Sequence, residues 1–342
     1  MTQSSQAARW AVAAAMGLLA ACAPTQAPMG EKVAAPRLTQ TRLIAADGAE
    51  LPLVVWRSDG APRAALVALH GFNDYSNAFA ESAADWARAG IVTYAYDQRG
   101  FGAAPNRGLW PGTETLVEDL DTAVALVRER HPDLALHVAG ESMGAAIAMV
   151  ARARGRIAGA NGLILSAPAV RGRDALGPVA SGALWVFAHT IPWLAGRAPN
   201  TGILASDNMA MLRALGADPL IIKESRVDAI WGLVNLMDEA LDSAGALDRR
   251  TLILVGERDE LIPGGPTGRL LERLQDAPGE RPRIAVYRNG YHLLLRDLAA
   301  DAVRRDVAHW ILSRAGDPAG ELPSGADSVE DRPGFARGRG VR

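Results

Sequence analysis

The sequence predicts an α/β fold in which a mostly parallel sheet carries helices on both faces. Short apolar runs of strand length alternate with longer segments of helical periodicity, and this alternation is typical of parallel strands joined by crossover helices. Within it, Gly140-Glu141-Ser142-Met143-Gly144 stands between an apolar run and a good helix former. This context predicts a serine held on a sharp strand-to-helix turn, with its hydroxyl exposed above the carboxyl end of the sheet.

Composition sets the broad class of the protein. The chain has 342 residues, 49% of them hydrophobic, and a net charge of −2, which favours an ordinary globular fold with a large core. No basic run stands apart from the acidic residues, so we expect no nucleic-acid partner. The sequence also shows no metal-ligand cluster and no dinucleotide fingerprint, and we expect neither a metal nor another cofactor.

The N-terminus has the pattern of an export signal. Arg9 precedes an apolar run over 10–20 that is too short to span a bilayer comfortably, and Leu19-Ala20-Ala21-Cys22 follows. These four residues resemble the bacterial lipobox, which implies a signal peptide over 1–21 and a lipidated Cys22. Ala23 and the absence of a nearby aspartate imply an anchor in the outer membrane, facing the periplasm. The alternative is a plain secretory signal with a coincidental cysteine.

The next segments are assigned from composition and periodicity. Residues 22–40 are rich in Ala, Pro and Gln and predict a flexible tether. Residues 41–166 are predicted to form the first part of the α/β core, opening with a hairpin of Thr41–Ala45 and Leu51–Trp56. The rest of this part comprises predicted strands at Ala64–Leu69, Ile91–Tyr96, Leu134–Ala139 and Gly162–Ser166, and predicted helices at Asn77–Ala89, Thr113–Arg130 and Met143–Arg154.

The alternation stops after the sixth predicted strand. Residues 167–246 show no strand-like segment and predict a helical cap inserted between the sixth and seventh strands, above the carboxyl ends of the sheet. The core resumes over 247–314, and residues 315–342 have the composition of a disordered tail. The predicted elements here are cap helices at Leu184–Ala195, Met209–Leu215 and Val227–Ser243, strands at Thr251–Val255 and Arg283–Tyr287, and core helices at Thr267–Leu274 and Asp297–Arg314.

Ser142 needs a base, because a serine hydroxyl is a poor nucleophile until its proton is removed. Histidine is the usual base near neutral pH. His292 directly follows the last predicted strand, in a loop at the carboxyl edge, where catalytic groups gather in open α/β sheets. The other five histidines lie within elements, in a turn after a helix or away from this edge, so His292 is the predicted base.

An acid that orients the base should follow another strand end. Asp259 lies just beyond Thr251–Val255 with room to turn back towards His292, and Glu257 and Glu260 are its rivals. Such an acid holds the imidazole tautomer and stabilises the imidazolium. The chain order Ser142, Asp259, His292 is that of the α/β-hydrolase fold.

Negative charge develops on the substrate carbonyl oxygen during attack and needs donors fixed in advance. One predicted donor is the backbone N–H of Met143, at the start of the helix after Ser142. The other is the backbone N–H of Phe72, in the loop after His70-Gly71. Both donors belong to the backbone, so their side chains carry little chemical information.

These motifs together resemble the monoacylglycerol lipase and lysophospholipase branch of the α/β-hydrolases, a branch also named serine aminopeptidase S33. The resemblance covers about Leu43 to Arg314 and implies a triad of Ser142, Asp259 and His292 with an oxyanion hole at Phe72 and Met143. The family often has Gly-Glu-His after the oxyanion-loop residue, whereas this chain has Asn73-Asp74-Tyr75. The quoted motifs are His70-Gly71-Phe72, Asp97-Gln98-Arg99-Gly100-Phe101-Gly102, Gly140-Glu141-Ser142-Met143-Gly144, Gly256-Glu257-Arg258-Asp259 and Gly290-Tyr291-His292.

The predicted cap contains an unusually apolar and aromatic segment around Trp185, Phe187 and Trp193. One interpretation is that these side chains pack the cap onto the core. The other is that they form an acyl pocket or a lid that touches a membrane, as in the lipases that the chain resembles.

The leading hypothesis is a membrane-anchored serine hydrolase that cleaves the esters of monoacylglycerols or lysophospholipids through an acyl-enzyme. Its partners are then the lipid substrate and the membrane, through the N-terminal anchor. The alternatives are an esterase for short soluble esters, a peptidase and a non-catalytic binding protein. No acidic cluster in the cap obviously awaits a free amino terminus, which disfavours the peptidase.

Overall fold

The computed structural model describes residues 24–197, 202–276, 279–313 and 322–328. It confirms the predicted fold class, since a mostly parallel sheet lies between two layers of helices. The strands are β1 (Arg37–Leu38), β2 (Arg42–Ile44), β3 (Glu50–Trp56), β4 (Ala64–Leu69), β5 (Ile91–Tyr96), β6 (Ala135–Glu141), β7 (Gly162–Ser166), β8 (Ala195–Gly196), β9 (Ser225–Arg226), β10 (Thr251–Gly256), β11 (Arg283–Tyr287) and β12 (Asp327–Ser328).

Eight α-helices connect these strands in the described part of the chain. They are α1 (Ala80–Arg88), α2 (Thr113–Arg130), α3 (Met143–Ala153), α4 (Arg173–Thr190), α5 (Met209–Ala217), α6 (Val227–Asp242), α7 (Gly264–Asp276) and α8 (Ala300–Leu312). Two short 3₁₀ helices lie at Ser76–Phe79 and Ser243–Ala246.

The main sheet has ten strands among the described residues, in the order β1-β2-β3-β5-β4-β6-β7-β10-β11-β12. The six strands from β5 to β11 in this order run parallel, and the strands at both edges pair antiparallel. Every residue of β4 is buried, because helices cover both faces of the sheet. Ala65, Val67 and Leu69 face the layer that includes α2 and α3, while Ala64, Leu66 and Ala68 face α1 and α8.

The segment predicted as a flexible tether, 22–40, is corrected by the structure from residue 24 onward. Residues 24–38, which we call the N-terminal strap, lie on the core through backbone hydrogen bonds. Ala27 N–H donates to Trp110 O at 2.9 Å, and Val33 N–H donates to Ala46 O at 2.8 Å. Backbone groups make these contacts, so the composition of the strap could not reveal them.

The C-terminal region is also ordered where the structure describes it. Within the segment predicted as a disordered tail, 315–342, the strand β12 pairs with β11 and the side chain of Arg288 bonds Asp327 at 2.8 Å. The prediction is therefore wrong for residues 322–328, and the rest of the tail lies outside the described residues.

The segment predicted as a cap, 167–246, divides into two parts by packing. Its last helix, α6, contributes Ala229, Leu236 and Ala240 to the same buried cluster as α3 and therefore packs with the core. The earlier part is more exposed, since only Ala188 is buried along α4 and no residue is buried along α5. The cap therefore consists mainly of α4, α5 and the loops around them, whereas α6 is part of the core.

Two details of the cap differ from the sequence prediction. The helix expected at Leu184–Ala195 begins at Arg173 and ends at Thr190, just before Ile191-Pro192, because a residue that precedes proline disfavours helical geometry. Its first turn is kinked at Gly177, which has a φ of 77°. The two-residue strands β8 and β9 pair where no strand was expected, and such short pairings leave no periodic signal in the sequence.

No helix in the described ranges is long and apolar enough to cross a bilayer.

Candidate active site

Ser142 occupies the turn between β6 and α3 in a strained backbone conformation. Its φ is 53° and its ψ is −110°, a region that residues other than glycine rarely adopt. The turn is tight: a Cβ at Gly140 would lie 2.4 Å from the nitrogen of Ala145, and one at Gly144 would lie 2.2 Å from the carbonyl oxygen of Leu69. Only glycine fits at both positions, so this pattern fixes where Ser142 stands.

His292 and Asp259 meet as the sequence suggested. Asp259 Oδ2 lies 2.8 Å from His292 Nδ1, and both side chains are buried. The second carboxylate oxygen of Asp259 accepts hydrogen bonds from the N–H groups of Leu261 and Ile262, at 2.9 and 2.8 Å. Asp259 is therefore held on both sides, and Nε2 is the imidazole nitrogen that stays available on the other side of the ring.

The two rival acids lie elsewhere. Glu260 is exposed and accepts a hydrogen bond from Leu204 N–H at 3.4 Å, and Glu257 is only partly buried. Among the three candidates, Asp259 is the one that bonds His292.

The pKa of His292 is raised above its ordinary value. Burial disfavours the imidazolium and lowers this pKa, but the negative charge and hydrogen bond of Asp259 oppose burial and outweigh it. Glu141 also raises the pKa through its charge, whereas the cation of Arg296 lowers it. The surroundings of His292 thus stabilise its imidazolium form, which a base needs if it is to take up a proton and return it.

The loop that would supply one oxyanion donor is held by His70. Its Nδ1 lies 2.8 Å from Gly71 O, and its Nε2 accepts a hydrogen bond from Gln98 N–H at 3.0 Å. Because Nε2 accepts, the proton is on Nδ1, and His70 donates to Gly71. Burial lowers the pKa of His70, which keeps it neutral in this role. His70 thereby orients the backbone that leads to Phe72.

Ser142 and His292 line a common cavity of about 330 Å³. Phe72, from the predicted oxyanion loop, also lines it, and Met143 follows Ser142 at the start of α3. The first N–H groups of a helix have no partner within the helix, so Met143 can offer one to a ligand. The apolar part of the wall consists of Leu215, Ile221, Leu233, Met237, Leu261, Ile262 and Leu293.

A buried ion cluster beside this cavity was not anticipated from the sequence. Arg296 Nη2 lies 2.5 Å from Glu141 Oε1 and 2.8 Å from Asp74 Oδ2. All three side chains line the cavity, although Arg296 and Glu141 are almost fully buried. Glu141 immediately precedes Ser142, and Arg296 follows His292 by four residues, so the cluster joins the two loops that carry Ser142 and His292.

The charges in this cluster depend on one another. Burial raises the pKa of Glu141, and the cation of Arg296 opposes that shift without cancelling it. Burial alone would lower the pKa of Arg296, but the charges and hydrogen bonds of Glu141 and Asp74 outweigh burial and raise this pKa above its ordinary value. Arg296 is therefore charged at any accessible pH and compensates two carboxylates that would otherwise be costly to bury.

A second, more polar cavity of about 370 Å³ adjoins the first. The two share Asp74, Leu215 and Arg296 in their walls, and the second is also lined by Tyr75, Asn77, Asn208 and Asp218. The cavity that Ser142 lines thus adjoins a more polar one at Asp74 and Arg296. This combination suits a ligand with one apolar and one polar part.

The three aromatic residues suggested as an acyl pocket are not part of this cavity. Trp185, Phe187 and Trp193 are 53%, 48% and 57% exposed, and the wall around Ser142 contains none of them. The correction has a geometric reason, because α4 and the turn after it present these side chains outward. The apolar lining comes instead from α5 and α6 through Leu215, Leu233 and Met237. Cys22, the predicted lipidation site, lies outside the described residues.

Comparison with known proteins gives a consistent picture. The family model described as serine aminopeptidase, S33, matches residues 60–299. A monoacylglycerol lipase of Mycolicibacterium smegmatis is 28% identical over 270 residues, which cover 78% of this chain and 94% of that protein. The monoglyceride lipase of Rattus norvegicus is 25% identical over 283 residues, covering 80% of this chain and 90% of that protein.

Solved structures agree at the level of the fold. A monoacylglycerol lipase of Paleococcus ferrophilus superposes with a TM-score of 0.64 at 21% identity, covering 77% of this chain and 99% of that one. A soluble variant of the monoglyceride lipase of Saccharomyces cerevisiae gives a TM-score of 0.67 at 17% identity, covering 84% and 98%.

Proposed function

Because the chain belongs to the serine aminopeptidase S33 family and is a carboxylic ester hydrolase, we propose that it cleaves a monoacylglycerol or lysophospholipid through an acyl-enzyme. The observation that carries this proposal is the Asp259–His292 hydrogen bond of 2.8 Å beside the cavity that Ser142 also lines. The relatives named monoacylglycerol lipase and monoglyceride lipase support a lipid ester as the substrate class.

In the first half of the proposed reaction, Ser142 Oγ attacks the ester carbonyl carbon while His292 Nε2 takes the hydroxyl proton. Asp259 stabilises the resulting imidazolium without taking a proton itself. The carbonyl oxygen becomes an oxyanion and accepts hydrogen bonds from the N–H groups of Phe72 and Met143. Collapse of the tetrahedral intermediate breaks the ester bond, and the leaving alcohol receives the proton from His292.

In the second half, water attacks the acyl-enzyme. His292 accepts a proton from the water and returns it to Ser142 Oγ as the ester to the enzyme breaks. A fatty acid leaves, and the enzyme is restored. No step requires a metal ion or another cofactor.

The two adjoining cavities support a substrate with an acyl chain and a polar head group. The apolar wall would hold the acyl chain, with each buried CH₂ worth about 0.8 kcal/mol. The cavity that shares Asp74 and Arg296 provides hydrogen-bonding groups for the alcohol part of the substrate. An acyl chain of eight or more carbons would therefore bind much more tightly than an acetyl group.

We also propose that the mature protein is a lipoprotein of the cell envelope, anchored through Cys22 in the outer membrane and facing the periplasm. Support comes from the resemblance of Leu19-Ala20-Ala21-Cys22 to the lipobox and from the apolar run before it. Several acyl chains give a lasting anchor, whereas a single chain binds only weakly.

Hydrolysis of p-nitrophenyl esters of increasing chain length tests the substrate proposal. We expect kcat/KM to rise from acetate to an optimum at long acyl chains, with hydrolysis of a monoacylglycerol in a direct assay. An optimum at acetate or butyrate would instead assign the protein to esterases for short soluble esters. Absence of turnover with every ester would overturn the proposal.

A further inference from the structure

Asn73 directly follows Phe72, the proposed oxyanion donor, and has an unusual backbone conformation. Its φ is 66°, in the left-handed region that favours glycine. Asparagine is one of the few residues with a Cβ that adopt this region readily. Glycine, which the family often has at this place, adopts it without strain. The two residue types therefore suit the same backbone, and the difference between them is the asparagine side chain.

The conformation of Asn73 completes a turn that contains Phe72. The turn is closed by a hydrogen bond of 3.2 Å from Asp74 N–H to Gly71 O, and Phe72 and Asn73 are its two central residues. A positive φ at the second central residue alone is the pattern of a type II turn, which favours glycine or asparagine there. Because Gly71 C=O and Phe72 N–H belong to one planar peptide, the direction of this donor follows from the geometry of the turn.

Two hydrogen bonds attach Asn73 to the cap. Its Nδ2 donates to Ser225 Oγ at 2.7 Å, although the two residues are 152 positions apart. Its carbonyl oxygen accepts a hydrogen bond from Ile222 N–H at 3.0 Å. Both partners belong to residues 218–225, which follow α5 and which we call the bracing segment. The side chain and the backbone of Asn73 are therefore both held by the cap.

Tyr75, two residues further along, is bound to the other end of the bracing segment. Its hydroxyl donates to Asp218 Oδ2 at 2.7 Å, and the second carboxylate oxygen of Asp218 accepts from Leu220 N–H at 2.8 Å. Burial and the neighbouring carboxylate of Asp218 raise the pKa of Tyr75, so the phenol keeps its proton and remains a donor. The loop after Phe72 is thus bound to the cap at two positions.

The bracing segment is itself fixed to the core. Ser225 belongs to β9, which pairs with β8 through Gly196↔Ser225. The helix α6 begins two residues later and packs in the main buried cluster, and its first residue, Val227, donates its N–H to Leu194 O at 2.8 Å. Ser225 therefore has a defined position from which to hold the side chain of Asn73.

We propose that Asn73 and Ser225 form a positioning pair that holds the N–H of Phe72 in the direction needed to bind the oxyanion. The inference rests on the proposed function, because it assumes that Phe72 donates to the substrate oxygen during ester hydrolysis. The described residues that line the cavity of Ser142 include Asn73 but not Ser225, so Ser225 acts through Asn73. The cap thereby contributes to stabilisation of the transition state and not only to the shape of the cavity.

Replacing Ser225 by alanine tests the pair at the residue that does not line the cavity. The assay uses the full chain and p-nitrophenyl butyrate, an ester that lipases and esterases for short esters both accept, so chain-length preference does not decide the result. We expect kcat to fall about tenfold and KM to stay within twofold. This loss is smaller than the roughly 10²–10³-fold loss that follows removal of an oxyanion donor, because Ile222 still holds the backbone of Asn73.

Two further serine variants serve as controls. Ser225→Thr keeps the hydroxyl and should retain kcat within twofold of the parent. Ser181→Ala removes a hydroxyl that bonds Arg173 O within the cap helix α4, and it should change neither kcat nor KM. A loss in either control equal to that in Ser225→Ala would overturn the proposal, as would an unchanged kcat or a rise of KM alone in Ser225→Ala.

A double-mutant cycle tests whether Ser225 acts through Asn73. Asn73→Gly removes the side chain while glycine keeps the positive φ without strain. In the Asn73→Gly background, Ser225→Ala should cause no further loss of kcat, because its partner is already gone. Full additivity of the two losses would overturn the proposal, since Ser225 would then act by another route.

A pair of ketones gives a readout that a merely structural role would not move. Ser142 Oγ adds to the carbonyl carbon of octyl trifluoromethyl ketone, its proton passes to His292, and the carbonyl oxygen becomes an oxyanion. Octyl methyl ketone has the same chain but a much less electrophilic carbonyl. Ser225→Ala should raise the inhibition constant of the trifluoromethyl ketone about tenfold, in step with kcat, and that of the methyl ketone less than twofold.

An inhibition constant does not depend on the fraction of enzyme that is folded, so partial unfolding of the variant cannot imitate this result. Equal weakening of both ketones would overturn the proposal, because the variant would then have changed the cavity and not the oxyanion donor. If the parent neither hydrolysed the ester nor bound the trifluoromethyl ketone, the proposed function itself would fail, and this inference with it.

Discussion

Glu141 Oε1 lies 2.5 Å from Arg296 Nη2, so the residue before the proposed nucleophile is ion-paired with the residue four positions after the proposed base. The pair is buried, and its other partner, Asp74, belongs to the loop after Phe72. One guanidinium thus joins the three loops from which the nucleophile, the base and one oxyanion donor would come.

Replacing Ser142 by alanine should abolish ester hydrolysis and leave the fold intact. The side chain is small, and the strained turn is formed by the glycines around it. We expect the melting temperature to change little and the variant to lose covalent labelling by a fluorophosphonate probe. Labelling that persists in Ser142→Ala would show that another residue is the nucleophile.

Replacing Asp259 by asparagine should lower kcat on the order of 10⁴-fold, by analogy with other triads, because the amide cannot stabilise the imidazolium. Glu260→Gln and Glu257→Gln are matched controls on the same loop and should change kcat less than threefold. A severe effect of either control together with a mild effect of Asp259→Asn would show that Asp259 is not the acid that orients His292.

Replacing Glu141 by glutamine should move the acid limb of the pH profile to lower pH. His292 must be neutral to act as a base, so activity falls as pH decreases through its pKa. The charge of Glu141 raises that pKa, and a neutral amide removes this effect while the opposing cation of Arg296 remains. The measurement is kcat/KM against pH, which reports groups of the free enzyme. A shift of the limb towards higher pH would contradict the assignment.

Replacing Arg296 by leucine should destabilise the protein by about 3–5 kcal/mol, since Glu141 and Asp74 would lose their buried partner. The loss should be smaller at low pH. Burial already raises the pKa of Glu141, and without the cation that opposes this shift its folded-state pKa rises further above its unfolded value. The stability of the variant therefore falls as pH increases from the unfolded to the folded pKa of Glu141. Arg273→Leu breaks an exposed pair with Asp242 and should cost less than about 1 kcal/mol. Urea unfolding at two pH values measures the free energy of unfolding of both variants. Equal losses of stability in Arg296→Leu and Arg273→Leu would show that the buried cluster contributes little.

Replacing Cys22 by alanine should prevent lipidation and cleavage at the lipobox. The parent should incorporate labelled palmitate and sediment with the envelope, whereas the variant should incorporate none and remain as the longer precursor. Equal incorporation in parent and variant would end the lipoprotein proposal.

Elements whose structure follows from their own local residue pattern could be predicted from the sequence. The apolar run Ala64–Leu69 is a fully buried strand, as predicted, because a strand covered on both faces has no polar side to alternate with. The glycines around Ser142 predicted a tight turn, and the structure places each of them in close contact with neighbouring backbone. Asp259 and His292 could be paired in advance because both follow strands that end at one edge of the sheet.

Features that depend on how elements face each other could not be predicted in the same way. The apolar residues around Trp185 are compatible with a buried helix or with an exposed one, and the composition does not say which side turns outward. Glu141 and Arg296 are 155 residues apart, and neither shows in the sequence that it has a buried partner. The strap was misjudged because its contacts with Trp110 and Ala46 use backbone groups.

The strand β12 has a consequence for solubility. It covers β11 through the register Ala285↔Ser328 and Val286↔Asp327, at what would otherwise be the last strand of the sheet. An uncovered strand presents a row of free N–H and C=O groups to which another chain can add. A chain cut short before Leu322 would therefore keep Ser142, Asp259 and His292 but acquire an open sheet edge. Such a truncated protein would be prone to aggregate as it is concentrated.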